Sequence, residues 1–262
     1  MASYGNSRVQ VFPHGDPSAS LPFHADANTE PFDIRLDAQG DAWVSYTGTS
    51  MVSKLHLTPT GVQRLFTAAV GSGANPKGVA VDSGGNAWVA AGKEDAVYAF
   101  DSAGTPLGRF TGAGVNGPWG VTVDSSSSVW VANFGGVTQA DVKYGVSRLC
   151  GAVAGTCPAG MRIGDAMTPS TGFTLPSGGD PVRLRSGALL YGTSGPRVLK
   201  PLMRETAAQV DVAGNLWVTN NWKPSGAIDT VGGNPGGDGI VVFVGVASPV
   251  QPKLYNGPPT AP

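Results

Sequence analysis

The chain is poor in charge, and this shortage narrows what it can be. Only 13% of its 262 residues are charged, about half of the roughly 25% found in an average soluble domain. The 17 Lys and Arg residues nearly balance the 18 Asp and Glu residues, which leaves a formal net charge of −1. Such a balance provides no strong attraction to nucleic acid or to anionic lipid. No apolar run approaches the roughly 18 residues of a membrane helix. We therefore expect neither nucleic-acid binding nor membrane insertion.

The residues that are abundant favour strands and turns over helices. There are 39 Gly and 21 Pro, while 41% of the residues are hydrophobic, which is enough to build a sizeable core. Short strands joined by tight turns use this composition, whereas long helices do not. The composition predicts an all-β chain.

The two cysteines, Cys150 and Cys157, enclose a short flexible stretch, Gly-Ala-Val-Ala-Gly-Thr. A disulfide closes such a loop easily and would stabilise the fold by roughly 2–3 kcal/mol. Two free thiols or a two-cysteine metal site are the alternatives. We predict the disulfide, which indicates an oxidising compartment.

The N-terminus has no charged segment followed by an apolar one, and we interpret Met1-Ala2-Ser3 as the start of a chain whose signal peptide was removed. The expected location is secreted or periplasmic.

A repeat runs through most of the chain. Its copies open with Pro, continue through alternating apolar residues, turn at Asp-x-x-Gly-Asn and end on Ala-Trp-Val. The copies are 31–44, 76–89, 118–131 and, without the proline, 207–218. Their tryptophans, Trp43, Trp88 and Trp130, recur at about the 40–45 residues of one propeller blade, and Trp217 follows about two periods later. We expect the blades to stack and all four tryptophans to be largely buried between them.

Each copy predicts four antiparallel strands, so the whole chain, 1–262, is predicted to be a single β-propeller domain. Six blades are favoured and five are possible. Blades are expected near 31–74, 75–116, 117–172 and 205–245, while 173–204 is either a diverged blade or an insertion. Residues 1–25 contain two further strands, which we expect to complete the C-terminal blade and close the ring. A closed ring leaves no exposed sheet edge.

The motif Pro-x-Gly-Val-Ala-Val-Asp-x-x-Gly-Asn-x-Trp-Val resembles the NHL repeat, and more closely the streptogramin-lyase-like branch of that superfamily. The resemblance covers most of 31–135 and 206–245 and implies a propeller. It also implies either a secreted binding module for a small molecule, a glycan or a protein, or else an enzyme. The enzyme would be a metal-assisted lactonase or hydrolase, or a streptogramin-lyase-like protein. A monomer is expected.

The loops predict which face carries the site. Turns between the first and second strands are uniformly short, whereas the loops on the opposite face are long, above all after Trp130 and Trp217. Binding residues tend to lie on long loops held by a rigid scaffold. We therefore expect the site at the mouth of the central channel on this loop-rich face.

Four residues that precede the first strands are expected to surround this mouth: Glu30, Asn75, Asn116 and Glu205. Carboxylate and amide oxygens that converge on one point suit Ca²⁺. The six-bladed lactonases that the chain resembles hold calcium with a comparable set. The alternative is that these side chains only satisfy turn hydrogen bonds.

Other residues of this face are candidates for catalysis or ligand binding. Glu30 and His24 are the candidate catalytic residues. His24 could act as a general base, or it could be an ordinary loop residue. The streptogramin lyases that the chain resembles use histidines near the mouth, and no second His is found here to complete such a site. Candidate ligand-binding residues are Arg35, Asn133, Asn220, Asn221 and Trp222. Arg35 is expected inside the channel, and Trp222 either carries a sugar or apolar ligand or packs its own loop.

Overall fold

The structure is a computed structural model. It describes residues 1–24, 28–58, 60–135, 145–175, 183, 186–189, 191–192, 195–196, 202, 204–220 and 239–250. Within this part of the chain, helix is limited to three short 3-10 turns, Tyr4–Asn6, Pro13–Gly15 and Pro17–Ala19. No helix in the described ranges is long and apolar enough to cross a membrane.

The strands form a series of antiparallel sheets that follow one another along the chain. An N-terminal sheet precedes two four-stranded blades (blades 1 and 2) and two three-stranded blades (blades 3 and 4), and a small hairpin lies before blade 4. The N-terminal sheet contains β1 (Ala2–Ser3), β2 (Arg8–Val11) and β3 (Leu21–His24), and blade 1 contains β4 (Pro31–Leu36), β5 (Ala42–Tyr46), β6 (Met51–Thr58) and β7 (Gly61–Ala69). Blade 2 contains β8 (Pro76–Val81), β9 (Ala87–Ala91), β10 (Ala96–Phe100) and β11 (Pro106–Phe110), and blade 3 contains β12 (Pro118–Val123), β13 (Val129–Asn133) and β14 (Ser147–Leu149). The hairpin contains β15 (Tyr191–Gly192) and β16 (Gly195–Pro196), and blade 4 contains β17 (Glu205–Val210), β18 (Leu216–Asn220) and β19 (Gly239–Phe243).

The aspartate of the repeat explains the short turn between the first two strands of a blade. In blade 3, Asp124 Oδ1 accepts hydrogen bonds from the backbone N–H groups of Ser126 and Ser128, which closes the turn. Its other oxygen, Oδ2, accepts from the indole N–H of Trp130 at 3.0 Å. The corresponding Asp and Trp are hydrogen-bonded in blades 2 and 4 as well. In blade 1 Lys54 takes the place of the indole, with its Nζ 2.8 Å from Asp37. The turn aspartate and the indole are therefore coupled in blades 2, 3 and 4.

The predicted stacking of blades is confirmed, since the apolar clusters lie between successive sheets. Trp43 packs against Val79, Ala87 and Val89 of the next blade, and Trp88 and Trp130 pack in the same way. All three indoles have no exposed surface. Trp217, expected to be equally buried, is instead 42% exposed. The expectation is wrong for Trp217 because, in the described part of the chain, no further sheet packs on the outer face of blade 4.

The N-terminal strands do not complete blade 4 as expected. β2 pairs with β1 and β3 in a sheet of their own. Val9 of this sheet packs on Ala42, Val44 and Leu55 of blade 1, at the place that a tryptophan takes between later blades. Among the described strands, no extended packing joins blade 4 to the N-terminal sheet. The N-terminal strands therefore extend the series of sheets at its start.

Blades 3 and 4 are direct neighbours in space. Trp130 of blade 3 packs on Ala208, Val210 and Leu216 of blade 4, and β12 runs beside β17. No sheet lies between them in the described residues, and the choice between a diverged blade and an insertion for 173–204 stays a prediction. Five successive sheets of three or four strands are described, and the number of blades in a closed ring stays a prediction.

The predicted disulfide between Cys150 and Cys157 is present, with a Cα–Cα distance of 5.6 Å. It lies on the turn face, because Gly151 contacts Ser127 in the first-to-second turn of blade 3, and Val153 lies near Gly84 in the corresponding turn of blade 2. The cross-link therefore fastens a loop on the face opposite the predicted site.

Candidate functional site

A bulge in the first strand of every blade aims one side chain at the central axis. The pairing with the second strand shifts register after the first residue of the strand in all four blades. A β-bulge redirects side chains and is frequent beside functional sites. The redirected residues, one from each blade, are Phe32, Lys77, Trp119 and Thr206. Three of them line a central cavity, and Lys77 packs on two of these three.

Two glycines that follow these residues let the first strands crowd together. A Cβ on Gly78 would lie 2.7 Å from the carbonyl oxygen of Trp119, and one on Gly120 would lie 2.7 Å from Cα of Ala207. Both distances are far shorter than real Cβ contacts, so these positions require glycine. In blade 1 Asp33 takes the corresponding place, and its Oδ2 accepts a hydrogen bond of 3.0 Å from the backbone N–H of Val79. The Asp33 carboxylate thus links blades 1 and 2 at the axis.

The cavity between the first strands has a volume of about 180 Å³. Arg35 reaches it from blade 1, with Nη1 3.2 Å from Asp33 Oδ1 and 3.1 Å from the carbonyl oxygen of Ile34. The Arg35 side chain is 45% exposed. Arg35 therefore lines this cavity, and its role as a ligand-binding residue of the channel stays a prediction. Arg35 is paired with Trp43 on the neighbouring strand, so its side chain leaves the sheet on the face that packs on the next blade.

Lys77 lies beside this cavity, between two aromatic rings that line it. Its Nζ is 4.5 Å from the centre of the Phe32 ring and 4.6 Å from the Trp119 ring, distances typical of cation–π contacts. Phe134 extends the aromatic surface, with its ring centre 4.4 Å from that of Trp119. Burial lowers the pKa of Lys77, while the nearby Glu30 carboxylate opposes this effect and Lys93 adds to it.

Glu30 lies at the loop-rich end of blade 1. Its backbone is left-handed (φ 50°), and its carbonyl oxygen accepts from the N–H of Thr47. A hydrogen bond to Glu30 is the main cause that raises the pKa of Tyr4, a residue of the N-terminal sheet. The Tyr4 ring in turn packs edge-on against Phe32. Glu30 therefore lies near Tyr4 and Lys77 at this end of blade 1. Its assignment to the channel mouth, to catalysis and to metal binding stays a prediction.

The four predicted metal ligands are not equivalent positions of the repeat. The residues with left-handed backbone just before the first strands are Glu30, Asn75, Gly117 and Arg204. Asn116 precedes this position, and its backbone N–H donates to Asn133 Oδ1 at 3.0 Å. Glu205 follows it and occupies the place of the strand-opening proline. In the described residues no group of three or more His, Cys, Asp or Glu side chains surrounds a common point.

Glu205 lies in the interior and not at the mouth. Its side chain has no exposed surface, and neither carboxylate oxygen has a hydrogen-bond partner in the described part of the chain. Burial raises the pKa of Glu205 well above its usual range, with backbone N–H groups of Glu205 and Asn133 acting weakly in the opposite direction. The mouth position assigned to Glu205 is wrong, because Glu205 replaces the strand-opening proline and Arg204 takes the left-handed position that Glu30 and Asn75 hold in blades 1 and 2.

Asn133 is a structural residue. It has no exposed surface, and its Nδ2 donates to the carbonyl oxygen of Gly145 and, at 3.0 Å, to Ser147 Oγ. With Oδ1 also engaged, its polar groups are used within blade 3, which argues against ligand binding by Asn133. Asn220 is equivalent to Asn133, pairs with Glu205 and is likewise buried.

Three predicted site residues fall outside what the structure describes. His24 ends β3, but its side chain is not among the described ones. Asn221 and Trp222 lie outside the described residues altogether. Their predicted roles in catalysis and ligand binding stay predictions.

The residues that sequence reasoning missed are the bulge residues. The position after the strand-opening proline holds Phe, Lys and Trp in Phe32, Lys77 and Trp119 within an otherwise regular repeat. Large, chemically different side chains at one position of a repeat are a signal of a specialised surface. The signal was present, but only the bulge shows that these side chains share one cavity.

Comparisons with known proteins bear on the fold. No family model and no curated protein matches the sequence. Solved structures do match. Virginiamycin B lyase from Staphylococcus aureus is 13% identical, with a TM-score of 0.55 over 95% of this chain and 65% of that one. A protein from Lactobacillus plantarum is 11% identical, with a TM-score of 0.57 over 95% and 66%. A putative 6-phosphogluconolactonase from Bacteroides uniformis is 9% identical, with a TM-score of 0.51 over 83% and 59%.

At these identities the likeness establishes the fold alone, a β-propeller. The chain spans less than two thirds of the length of each of these three structures, between 59% and 66%.

Proposed function

We propose that this chain, which shares its propeller fold with virginiamycin B lyase, binds a small ligand at the loop-rich mouth of its central cavity. The observation that carries the proposal is the aromatic entrance, where Phe32 and Trp119 flank Lys77 beside a cavity of about 180 Å³. Ligand sites are concave and mostly apolar, with a few polar groups that fix orientation. Here aromatic rings supply the apolar surface, while Asp33 and Arg35 supply polar groups.

The size of the cavity argues for a small molecule. A volume of about 180 Å³ corresponds to roughly six water molecules at about 30 Å³ each. The backbone around it is rigid, because Gly78 and Gly120 let the strands approach closely and Asp33 ties two blades together. A preformed cavity loses little conformational freedom on binding, which favours affinity.

An NMR titration with a library of small aromatic molecules tests the proposal. The six tryptophans give separate indole N–H signals, so ligands of the cavity should shift the Trp119 signal and leave the half-exposed Trp217 unchanged. Phe32→Ala should weaken these shifts. If every molecule that moves Trp119 also moves Trp217, the binding is non-specific and the proposed site is wrong.

A lactonase- or streptogramin-lyase-like activity at the same mouth is the second candidate. It is favoured by the fold, which is shared with virginiamycin B lyase and with a putative 6-phosphogluconolactonase. Quinupristin, which one such lyase structure contains, can be used to test for lyase activity. The chain is incubated with quinupristin, and chromatography shows whether the compound is converted. Conversion that survives Glu30→Gln would show that Glu30 is not required.

We also propose a secreted or periplasmic location, which the Cys150–Cys157 disulfide supports. Intact mass after alkylation without reductant tests this on protein taken from the native host. Two alkylated thiols would contradict the proposed location.

A further inference from the structure

We propose that the ligand of this cavity carries a carboxylate or a comparable anionic group, which Lys77 and Arg35 recognise while Phe32 and Trp119 contact its flat apolar part. This inference rests on the proposed function and adds the chemical class of the ligand. The N–H donors that Lys77 and Arg35 leave unused, and the charges around these two residues, support it.

The first observation is that Lys77 has no anionic contact. Its Nζ packs on two aromatic rings, and no hydrogen bond or ion pair is formed by this ammonium in the described part of the chain. Cation–π contacts stabilise the charge but leave all three N–H donors unused. A half-buried ammonium without a hydrogen-bonded partner is costly, and burial lowers its pKa accordingly. An anion at the entrance would remove this cost.

Arg35 presents the second set of donors. Its Nη1 is held by Asp33 and by the carbonyl oxygen of Ile34, which fixes the guanidinium at the cavity wall. Nε and Nη2 form no further hydrogen bond within the described residues, and the side chain is 45% exposed. A guanidinium whose remaining donors face a cavity is suited to a carboxylate.

The acidic residues near the cavity do not cancel these cations. Asp33 is engaged by Arg35 and by the backbone N–H groups of Ile34 and Val79. Glu30 lies near Tyr4, whose pKa it raises. Lys93 also acts on Lys77, so three cations oppose two carboxylates, of which Asp33 is already engaged. The field at the entrance therefore favours an anion.

A pair of matched molecules tests the inference. Indole-3-acetate and its neutral amide, indole-3-acetamide, have the same ring and nearly the same shape. Each is titrated into the whole chain, and binding is followed by the Trp119 indole N–H signal and by calorimetry. We expect the carboxylate to bind at least about tenfold more tightly, a difference of about 1.4 kcal/mol. This preference should shrink as salt is added.

Variants identify the cations responsible. Lys77→Met and Arg35→Met should each reduce carboxylate affinity severalfold while leaving the amide unchanged, and Lys77→Arg should retain the preference. Arg8→Met removes an exposed cation from the N-terminal sheet and serves as the matched control. The salt dependence is measured on the unmodified chain, so a variant that does not fold leaves the test intact.

The outcomes separate this inference from the proposed function. If both molecules bind equally at Trp119, or if both Met variants keep the carboxylate preference, the anionic class is wrong and the site stands. If neither molecule nor any other aromatic library member perturbs Trp119, the site is wrong and the inference falls with it.

Discussion

The tryptophan of the repeat allows one residue to be compared in two environments. Trp88 lies between blades 2 and 3 with no exposed surface, whereas Trp217 occupies the same place in blade 4 and is 42% exposed. Each indole N–H donates to the turn aspartate of its own blade, at 3.3 Å to Asp82 and at 2.8 Å to Asp211. Replacement by Ala removes the same atoms and the same hydrogen bond in both cases. Any difference in the loss of stability therefore reports packing between blades.

The size of the effect follows from burial. Trp88→Ala leaves a cavity enclosed by Val97, Val121 and Val129, and such replacements cost about 3–5 kcal/mol. At Trp217 solvent already reaches the ring and can fill the space that Ala leaves. We expect about 1–2 kcal/mol there, the transfer free energy of the partly buried ring together with one hydrogen bond.

Urea unfolding followed by far-UV circular dichroism measures both losses. Trp88→Phe is the control, because it keeps most of the ring and should lose less than Trp88→Ala. Equal losses for Trp88→Ala and Trp217→Ala would refute the reasoning. So would a loss below about 1 kcal/mol at Trp88, which would be typical of a surface position.

Three further outcomes are expected. Glu205→Gln should stabilise the chain at pH 7 by about 1–3 kcal/mol. The folded-state pKa of Glu205 is raised above its ordinary 4.5, so the stability that the protonated carboxyl contributes is complete below that pH and is lost as the pH rises. Chemical unfolding at a series of pH values should show the stability advantage of Glu205→Gln growing upward from about pH 4.5. A difference in stability that does not depend on pH would contradict this expectation. Cys150→Ser should cost about 2–3 kcal/mol, and reductant should destabilise the unmodified chain equally in thermal melts, with no further effect on the variant. If Glu30 and Asn75 bind calcium, excess calcium should raise the melting temperature relative to chelator, Glu30→Gln should abolish the shift, and an unchanged melt of the unmodified chain would end the calcium prediction.

Local chemistry explains why much of the fold could be predicted from the sequence. The turn aspartate, its backbone partners and the tryptophan lie within seven residues of one another, as in Asp124–Trp130. Interactions this short recur wherever the motif recurs, so the repeat predicts the strands, the turns and the stacking of blades. The Cys150–Cys157 pair is equally local, and its pairing could be predicted for the same reason.

Contacts between blades decided the features of the fold and of the candidate site that the sequence did not predict. Only the bulge in each first strand shows that Phe32, Lys77 and Trp119 meet at one cavity, because a regular strand would direct them at neighbouring blades. Glu205 replaces the strand-opening proline of blade 4 and is buried, and only the pairing of the strands shows that Arg204 takes the position of Glu30. Whether a tryptophan is covered depends on the next sheet and not on its own motif, as the exposed Trp217 demonstrates. The sequence by itself therefore determined the repeating unit, while the tertiary structure decided which side chains share the site.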